Sequence, residues 1–183
     1  MNAPTELPHL VEPRPVPAAM LDALKARFGD RCTTALAVRE QHGRDESPFD
    51  VRPPDAVVFC ESTEEVAAAV ALADRYAVPV IPFGTGTALE GHVAALHGGV
   101  SIDTSNMKEI LAVNAEDMDV TVQAGVTRNQ LNAHLRDTGL FFPVDPGADA
   151  SLGGRCRARV SHRLQRRRRL PHDPGGDRRS LPR

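Results

Sequence analysis

The stretch DAVVFCESTEEVAAAVALADRYAVPVIPFGTGTALEGH, Asp55–His92, decides the fold. It opens on a short apolar run of β-forming residues, Asp55–Cys60. Ser62 and Glu65 then stand at the S-x-x-E spacing of a capping box, which starts a helix. Val66, Ala69, Val70 and Ala73 recur at helical spacing and predict one apolar stripe. Val78–Phe83 returns to β-type residues. Residues 55–83 therefore predict a β-α-β unit, whose crossover helix implies two parallel strands. The second strand runs directly into a loop of small residues, GTGTALEG.

On the N-terminal side, Pro17 suits a first helical turn, and Met20, Leu21, Leu24 and Phe28 share a face, predicting a helix over 17–28. TTALAVREQHGRDES, 33–47, ends in polar residues and reads as loop. Residues 1–16 read as a Pro-rich flexible leader without the apolar segment of a secretory signal. On the C-terminal side, Gly98–Thr104 predicts a strand, and Ile110–Val126 predicts two more around an acidic turn at Glu116–Asp117. TRNQLNAHLRDTG repeats the helix-start signal with Thr127 and Gln130. Leu131 and Leu135 share its buried face, and Gly139 supplies a stop. LFFPVDPGADASLGG passes from a short strand into a second small-residue loop. The fold class expected is α+β.

The 183 residues, 41% hydrophobic, suffice for one domain with a core. No apolar run is long enough to span a membrane. Cys32, Cys60 and Cys156 form an odd set without metal-type spacing, which fits free thiols in a reducing, cytoplasmic setting. Residues 1–154 carry 11 Lys and Arg against 22 Asp and Glu; residues 155–183 carry 11 Arg against two Asp, the two parts summing to −2. An acidic body thus meets an Arg-only segment at Gly154.

The first glycine loop lacks the lysine of a P-loop. Gly84 and Gly86 fit the start of G-x-G-x-x-G, but Leu89 holds the third position and no helical pattern follows at once, which argues against a Rossmann dinucleotide site. Two readings remain. Backbone N–H groups with the Thr85 and Thr87 hydroxyls can form a nest for a pyrophosphate, or the segment is a plain turn between strands. The second loop, DPGADASLGG, favours the first reading, because two such loops can grip one diphosphate from opposite sides. Asp145 reads as a turn cap.

PFGTGTALEGH, VTVQAGVTRNQLNAHLRDTGLFFPVDPGADASLGG, VREQHGRDES and PPDAVV together resemble the FAD-binding domain of D-lactate dehydrogenases of the cytochrome type. These belong with glycolate oxidase and D-2-hydroxyglutarate dehydrogenase subunits in the vanillyl-alcohol-oxidase flavoprotein family. The resemblance runs from about Ala18 to Gly154. It implies an incomplete PCMH-type FAD-binding domain: a βαβ subdomain and the start of a second α/β subdomain. It implies that Pro82, Phe83, Gly84, Thr85, Gly86, Thr87, Leu89, Glu90 and Gly91 lie along the FAD pyrophosphate, chiefly through amides of residues 84–87. Pro146, Gly147, Ala148, Asp149, Ser151, Leu152, Gly153 and Gly154 would form the opposite wall, with Asp149 and Ser151 near the cofactor. Thr87 stands where covalently flavinylated relatives carry His, so FAD is expected to bind non-covalently. His92 reads as a surface or packing residue. The family reaction takes hydride from a small D-2-hydroxy acid to the flavin and passes electrons to a one-electron acceptor of cytochrome or quinone type.

After Gly154 the pattern of the family stops. Residues 1–16, 17–154 and 155–183 are accordingly read as leader, partial flavin domain and Arg-rich tail. The tail has three readings: a nucleic-acid arm, a disordered solvated segment, or an out-of-frame extension. Lys and aromatic residues are missing among its arginines, so no nucleic acid is expected as a partner. Codons chosen for Leu164–Arg167 spell Tyr-Asn-Ala-Val one base out of register, resembling an N-A-V motif of the family, which favours the third reading. On it, FAD affinity is weak, and the hydroxy acid and electron acceptor are partners of a longer parent only.

Overall fold

A computed structural model describes residues 15–144, 149–157 and 164–166. The leader up to residue 14, Asp145, Pro146, Gly147, Ala148 and most of the Arg-rich segment lie outside the described residues.

The first body is a four-stranded sheet with helices packed on it. Its elements are α1 (Ala18–Phe28), β1 (Cys32–Thr33), α2 (Leu36–His42), β2 (Ala56–Phe59), α3 (Thr63–Arg75), β3 (Val80–Phe83) and β4 (Val100–Asp103). The strand order is β1-β2-β4-β3. β2 and β3 run parallel, as the β-α-β reading requires, but they are not neighbours: β4 lies between them, parallel to both. Phe59 and Phe83 both register with Asp103, so three strand ends converge on one carboxylate. β4 is buried along its whole length, as a central parallel strand covered on both faces is. β1, too short to carry a pattern in sequence, pairs antiparallel with β2.

Met20, Leu24 and Phe28 of α1 and Ala69 and Ala73 of α3 pack against Ala56, Val58, Val100 and Ile102. Val16 joins this core at 7% exposure, so the chain enters the fold before residue 17. The expected α3 stripe holds at Val66, Ala69 and Ala73, but Val70 is 42% exposed. Leu72 and Tyr76, partly buried, pack against this core instead.

The segment read as loop contains α2. Only seven residues long, it shows no apolar stripe: Leu36 is 60% exposed. It is held by what its inner face reaches. The Arg39 Nε–H donates to the Pro54 carbonyl, and His42 is buried. Gly43 ends it where a Cβ would sit 2.5 Å from the Arg52 carbonyl oxygen.

The α3 cap forms half as read. The Glu65 N–H donates to Ser62 Oγ at 3.2 Å, but the Glu65 carboxylate accepts from the Glu61 N–H at 2.9 Å, one residue before the Ser62 expected. It also takes both arms of Arg31, with Nη2 donating to Oε1 at 2.6 Å. The Arg31 bond holds the Glu65 carboxyl down at about 2, against an ordinary 4.5. A depressed folded-state value adds stability above the ordinary value, and that stability is lost as pH falls toward about 2. The side chain is a quarter exposed, so solvent screening limits the pair to about 1 kcal/mol. Glu65→Gln is therefore expected to lower unfolding free energy by about 1 kcal/mol near neutral pH, with the difference from wild type shrinking in acid. Urea unfolding at both pH values checks it.

The second body contains β5 (Ile110–Asn114), β6 (Asp119–Val122), α4 (Arg128–His134), β7 (Leu140–Phe141), α5 (Leu152–Arg157) and β8 (Gln165–Arg166). β5 and β6 form the expected antiparallel hairpin around Glu116–Asp117, with Met118 at φ 56°. Thr127 Oγ1 caps α4 by accepting the Gln130 N–H at 3.3 Å. The Gln130 side chain, rather than closing the box, donates to the Lys108 carbonyl. α4 ends at His134, before Gly139, which instead makes the turn into β7 with φ 74°. Val126, Leu131, Leu135, Leu140, Phe142 and Leu152 form the core here. Described structure continues past Gly154: α5 crosses it, Leu164 is 3% exposed in this core, and β8 pairs antiparallel with β7.

Candidate cofactor site

β3 delivers Phe83 to the edge of the sheet, and the chain leaves as the first glycine loop. Thr104 holds the departure point: its N–H and its hydroxyl both donate to the Phe83 carbonyl, at 3.1 and 3.2 Å. Gly86 adopts φ 67°, a left-handed conformation that side chains disfavour. Among the described residues, the backbone N–H groups of Thr85, Gly86 and Thr87 have no protein hydrogen-bond partner. The Thr85 and Thr87 hydroxyls meet at 3.1 Å. Adjacent amides without partners on a loop with alternating backbone hand are what an anion nest requires. The loop is tethered once more where the Glu46 N–H donates to the Ala88 carbonyl at 3.0 Å.

The second loop supplies a facing wall. Ser151 is 2% exposed and bridges to Thr127, the cap of α4. The Leu152 N–H donates to the Val126 carbonyl and the Gly153 N–H to the Ala124 carbonyl, at 2.8 and 2.9 Å. A Cβ on Gly84 would lie 2.7 Å from Ser151 Oγ, so the two loops touch here, with the Ser151 hydroxyl directly against the glycine. Between them is a cavity of about 270 Å³ lined by residues 84–90, His92, Val93, Ala150, Ser151 and Gly154. Its walls hold amides, the Thr85, Thr87 and Ser151 hydroxyls and, at one side, the Glu90 carboxylate. Among the described residues no Lys or Arg lines it.

Of the residues anticipated from sequence, Gly84, Thr85, Gly86, Thr87, Leu89, Glu90, Ser151 and Gly154 come together around this cavity. Pro82 is exposed on β3 and Phe83 faces a different cleft. Gly91 packs under Phe49, whose ring carbon a Cβ there would meet at 2.4 Å. Leu152 is in the second core, and Gly153 packs on Ala124. Asp149 is exposed and accepts the Asn129 N–H at 3.1 Å, at the first turn of α4, and does not line the cavity. His92, anticipated as a surface or packing residue, is exposed at the cavity rim.

A second cleft, of about 980 Å³, opens on the other side of the Gly84–Gly86 turn. On its floor lies a pair absent from the sequence reading. The His42 Nδ1–H donates to the Val38 carbonyl at 2.8 Å, and Nε2 meets Asp103 Oδ2 at 2.9 Å. Both side chains are almost completely buried. The partners are 61 residues apart, and no local spacing announces them.

Two loops, a cavity between them and free amides have the chemistry to receive a diphosphate. The model of the FAD binding domain family matches residues 54–174. The chain belongs to that family. FAD is its cofactor. The match begins just before β2 and runs past both glycine loops. The flavin domain is 58% identical over 143 residues to a probable mitochondrial D-lactate dehydrogenase of Danio rerio, covering 78% of this chain and 29% of that protein. It is 43% identical over 155 residues to a mitochondrial D-lactate dehydrogenase (cytochrome) of Arabidopsis thaliana, covering 84% and 27%. The chain thus spans under a third of the length of these relatives. Among solved structures, an alkyldihydroxyacetonephosphate synthase superposes with TM-score 0.69 at 30% identity, over 80% of this chain and 32% of that one. p-Cresol methylhydroxylase superposes with TM-score 0.61 over 69% and 26%; at 20% identity it shows the fold alone. That fold is the mixed α+β PCMH type. Among the described residues no helix is long and apolar enough to cross a membrane.

Proposed function

We propose that this flavin domain holds FAD non-covalently between its two glycine loops, as the cofactor-binding part of a dehydrogenase for D-lactate or a related small D-2-hydroxy acid. The observation that carries the reading is the 270 Å³ cavity where unpartnered amides of the first loop face Ser151 across Gly84. Amides of residues 84–87 would receive the diphosphate, with Ser151 and Gly154 closing the opposite wall. Asp149 would act at one remove, by fixing the first turn of α4 and hence the second loop. Thr87 offers a hydroxyl where attachment to the flavin would need a stronger nucleophile. When bound, FAD supplies the hydride acceptor and passes electrons on singly to a cytochrome- or quinone-type acceptor.

The 270 Å³ cavity is assigned to the diphosphate alone. We expect weak FAD binding and no turnover from the 183 residues alone. The Arg-rich segment has no part in this reading, and no nucleic acid is invoked. The buried free thiols Cys32 and Cys60 fit a reducing setting; burial pushes the Cys60 thiol up to about 11. Mixing the chain with FAD, D-lactate and a reducible dye tests the catalytic half of the proposal. No dye reduction is expected; sustained reduction above free FAD would overturn it.

A further inference from the structure

We propose that His42, anchored by Asp103, is a positioning residue for the first glycine loop, acting through the ring of Phe83. The proposal rests on the reading of that loop as the diphosphate site. A continuous line of contacts carries it. Asp103 ends the central strand, and its Oδ1 accepts the Ser105 N–H at 2.6 Å, which fixes the carboxylate. Oδ2 holds His42 Nε2, while the Val38 carbonyl holds Nδ1, so the imidazole is pinned at both nitrogens. The His42 ring lies 4.2 Å from the Phe83 ring, tilted by 39°, and 5.5 Å from Phe59, edge to face. Phe83 Cζ in turn lies 3.1 Å from where a Cβ on Gly86 would stand. The Phe83 ring is thus the bed on which the left-handed turn at Gly86 rests, and His42 is what keeps the ring there.

The alternative is that His42 merely fills a core. A buried His–Asp pair does stabilise a fold, and its loss leaves one oxygen of a buried carboxylate unpaired. The two roles separate by where the molecule loosens. Core filling acts on the whole cooperative unit, whereas positioning through Phe83 acts on the loop alone.

The test is hydrogen exchange on the chain without FAD, resolved at the Glu46 and Thr104 amides, which donate to the Ala88 and Phe83 carbonyls at the two ends of the loop, and at those of α1 and α3. His42→Gln keeps a donor for Asp103 but removes the ring from Phe83. Phe83→Leu leaves the His42–Asp103 pair intact and removes the bed under Gly86. Both are expected to speed exchange at Glu46 and Thr104 about tenfold relative to α1 and α3. Unchanged loop exchange, or an equal rise in all three regions, overturns the proposal. If His42→Gln does not fold, Phe83→Leu alone decides it on the same terms. Because the measurement needs no cofactor, loop loosening in a chain that fails to bind FAD would sink the cofactor reading and leave the positioning role standing.

Discussion

Gly125→Ala is expected to cost about 3 kcal/mol of stability. Gly125 lies where the two bodies meet. Its N–H donates to the Met107 carbonyl at 2.8 Å, which joins the turn after the hairpin to the segment after β4. A Cβ there would sit 2.3 Å from the Thr104 carbonyl oxygen, 2.8 Å from that of Met107 and 3.0 Å from that of Ser105. All three neighbours are backbone, so no rotamer change relieves the overlap. The segment 104–107 has to move, and it cannot do so freely. The Thr104 N–H and hydroxyl anchor the departure of the glycine loop, and the Ser105 N–H anchors Asp103. Thermal unfolding is expected to shift down by roughly 6–12 °C for a chain of this size. Gly139→Ala is the control. It has φ 74° and nothing within 4 Å of its Cβ, so it carries only the backbone penalty, about 1 kcal/mol. Equal losses in the two variants would contradict the steric account.

Gly84→Val is expected to weaken FAD binding by at least about tenfold, or about 1.4 kcal/mol, while the fold stays intact. The contact at Gly84 differs in kind from the one at Gly125. Its nearest neighbour is Ser151 Oγ, the end of a side chain that can rotate, and the next is Ser151 Cβ at 3.9 Å. The fold can therefore absorb a small side chain here, but the cavity between the loops cannot keep its width. A valine fills the gap the diphosphate is proposed to enter and turns Ser151 away from it. Flavin titration alongside thermal unfolding separates the two effects. Lost affinity with a preserved melting temperature is the expected result; unchanged affinity would place the cofactor elsewhere.

The parts of the fold legible in the sequence are those written in local pattern. α1, α3 and α4 carry apolar faces or caps. The β5–β6 hairpin carries alternating β-type residues around an acidic turn. The glycine loops carry their meaning in composition, since only small residues allow the approach seen between Gly84 and Ser151. The rest depended on distance along the chain. Nothing within Asp55–Phe83 tells that β4 will insert between β2 and β3. α2 has no stripe because its face is defined by single contacts to Pro54 and Asp103 rather than by a row of apolar neighbours. His42 stands within VREQHGRDES with no role legible from its neighbours, because its partner stands at the end of a strand 61 residues on. Val70 fits the helical period but points outward, since the period gives spacing and the packing partner gives direction. Asp149 fits the chemistry expected of the second loop but spends its carboxylate on the first turn of α4.

Titration of FAD into the 183-residue chain, followed by flavin fluorescence and visible circular dichroism, addresses the cofactor site most directly. Two loops that form one diphosphate cradle predict weak, saturable binding of one FAD per chain, an induced visible signal, competition by ADP and loss of both with Gly84→Val. Absence of binding by a folded chain, or binding that Gly84→Val leaves unchanged, would contradict a cofactor held between Gly84–Thr87 and Ser151.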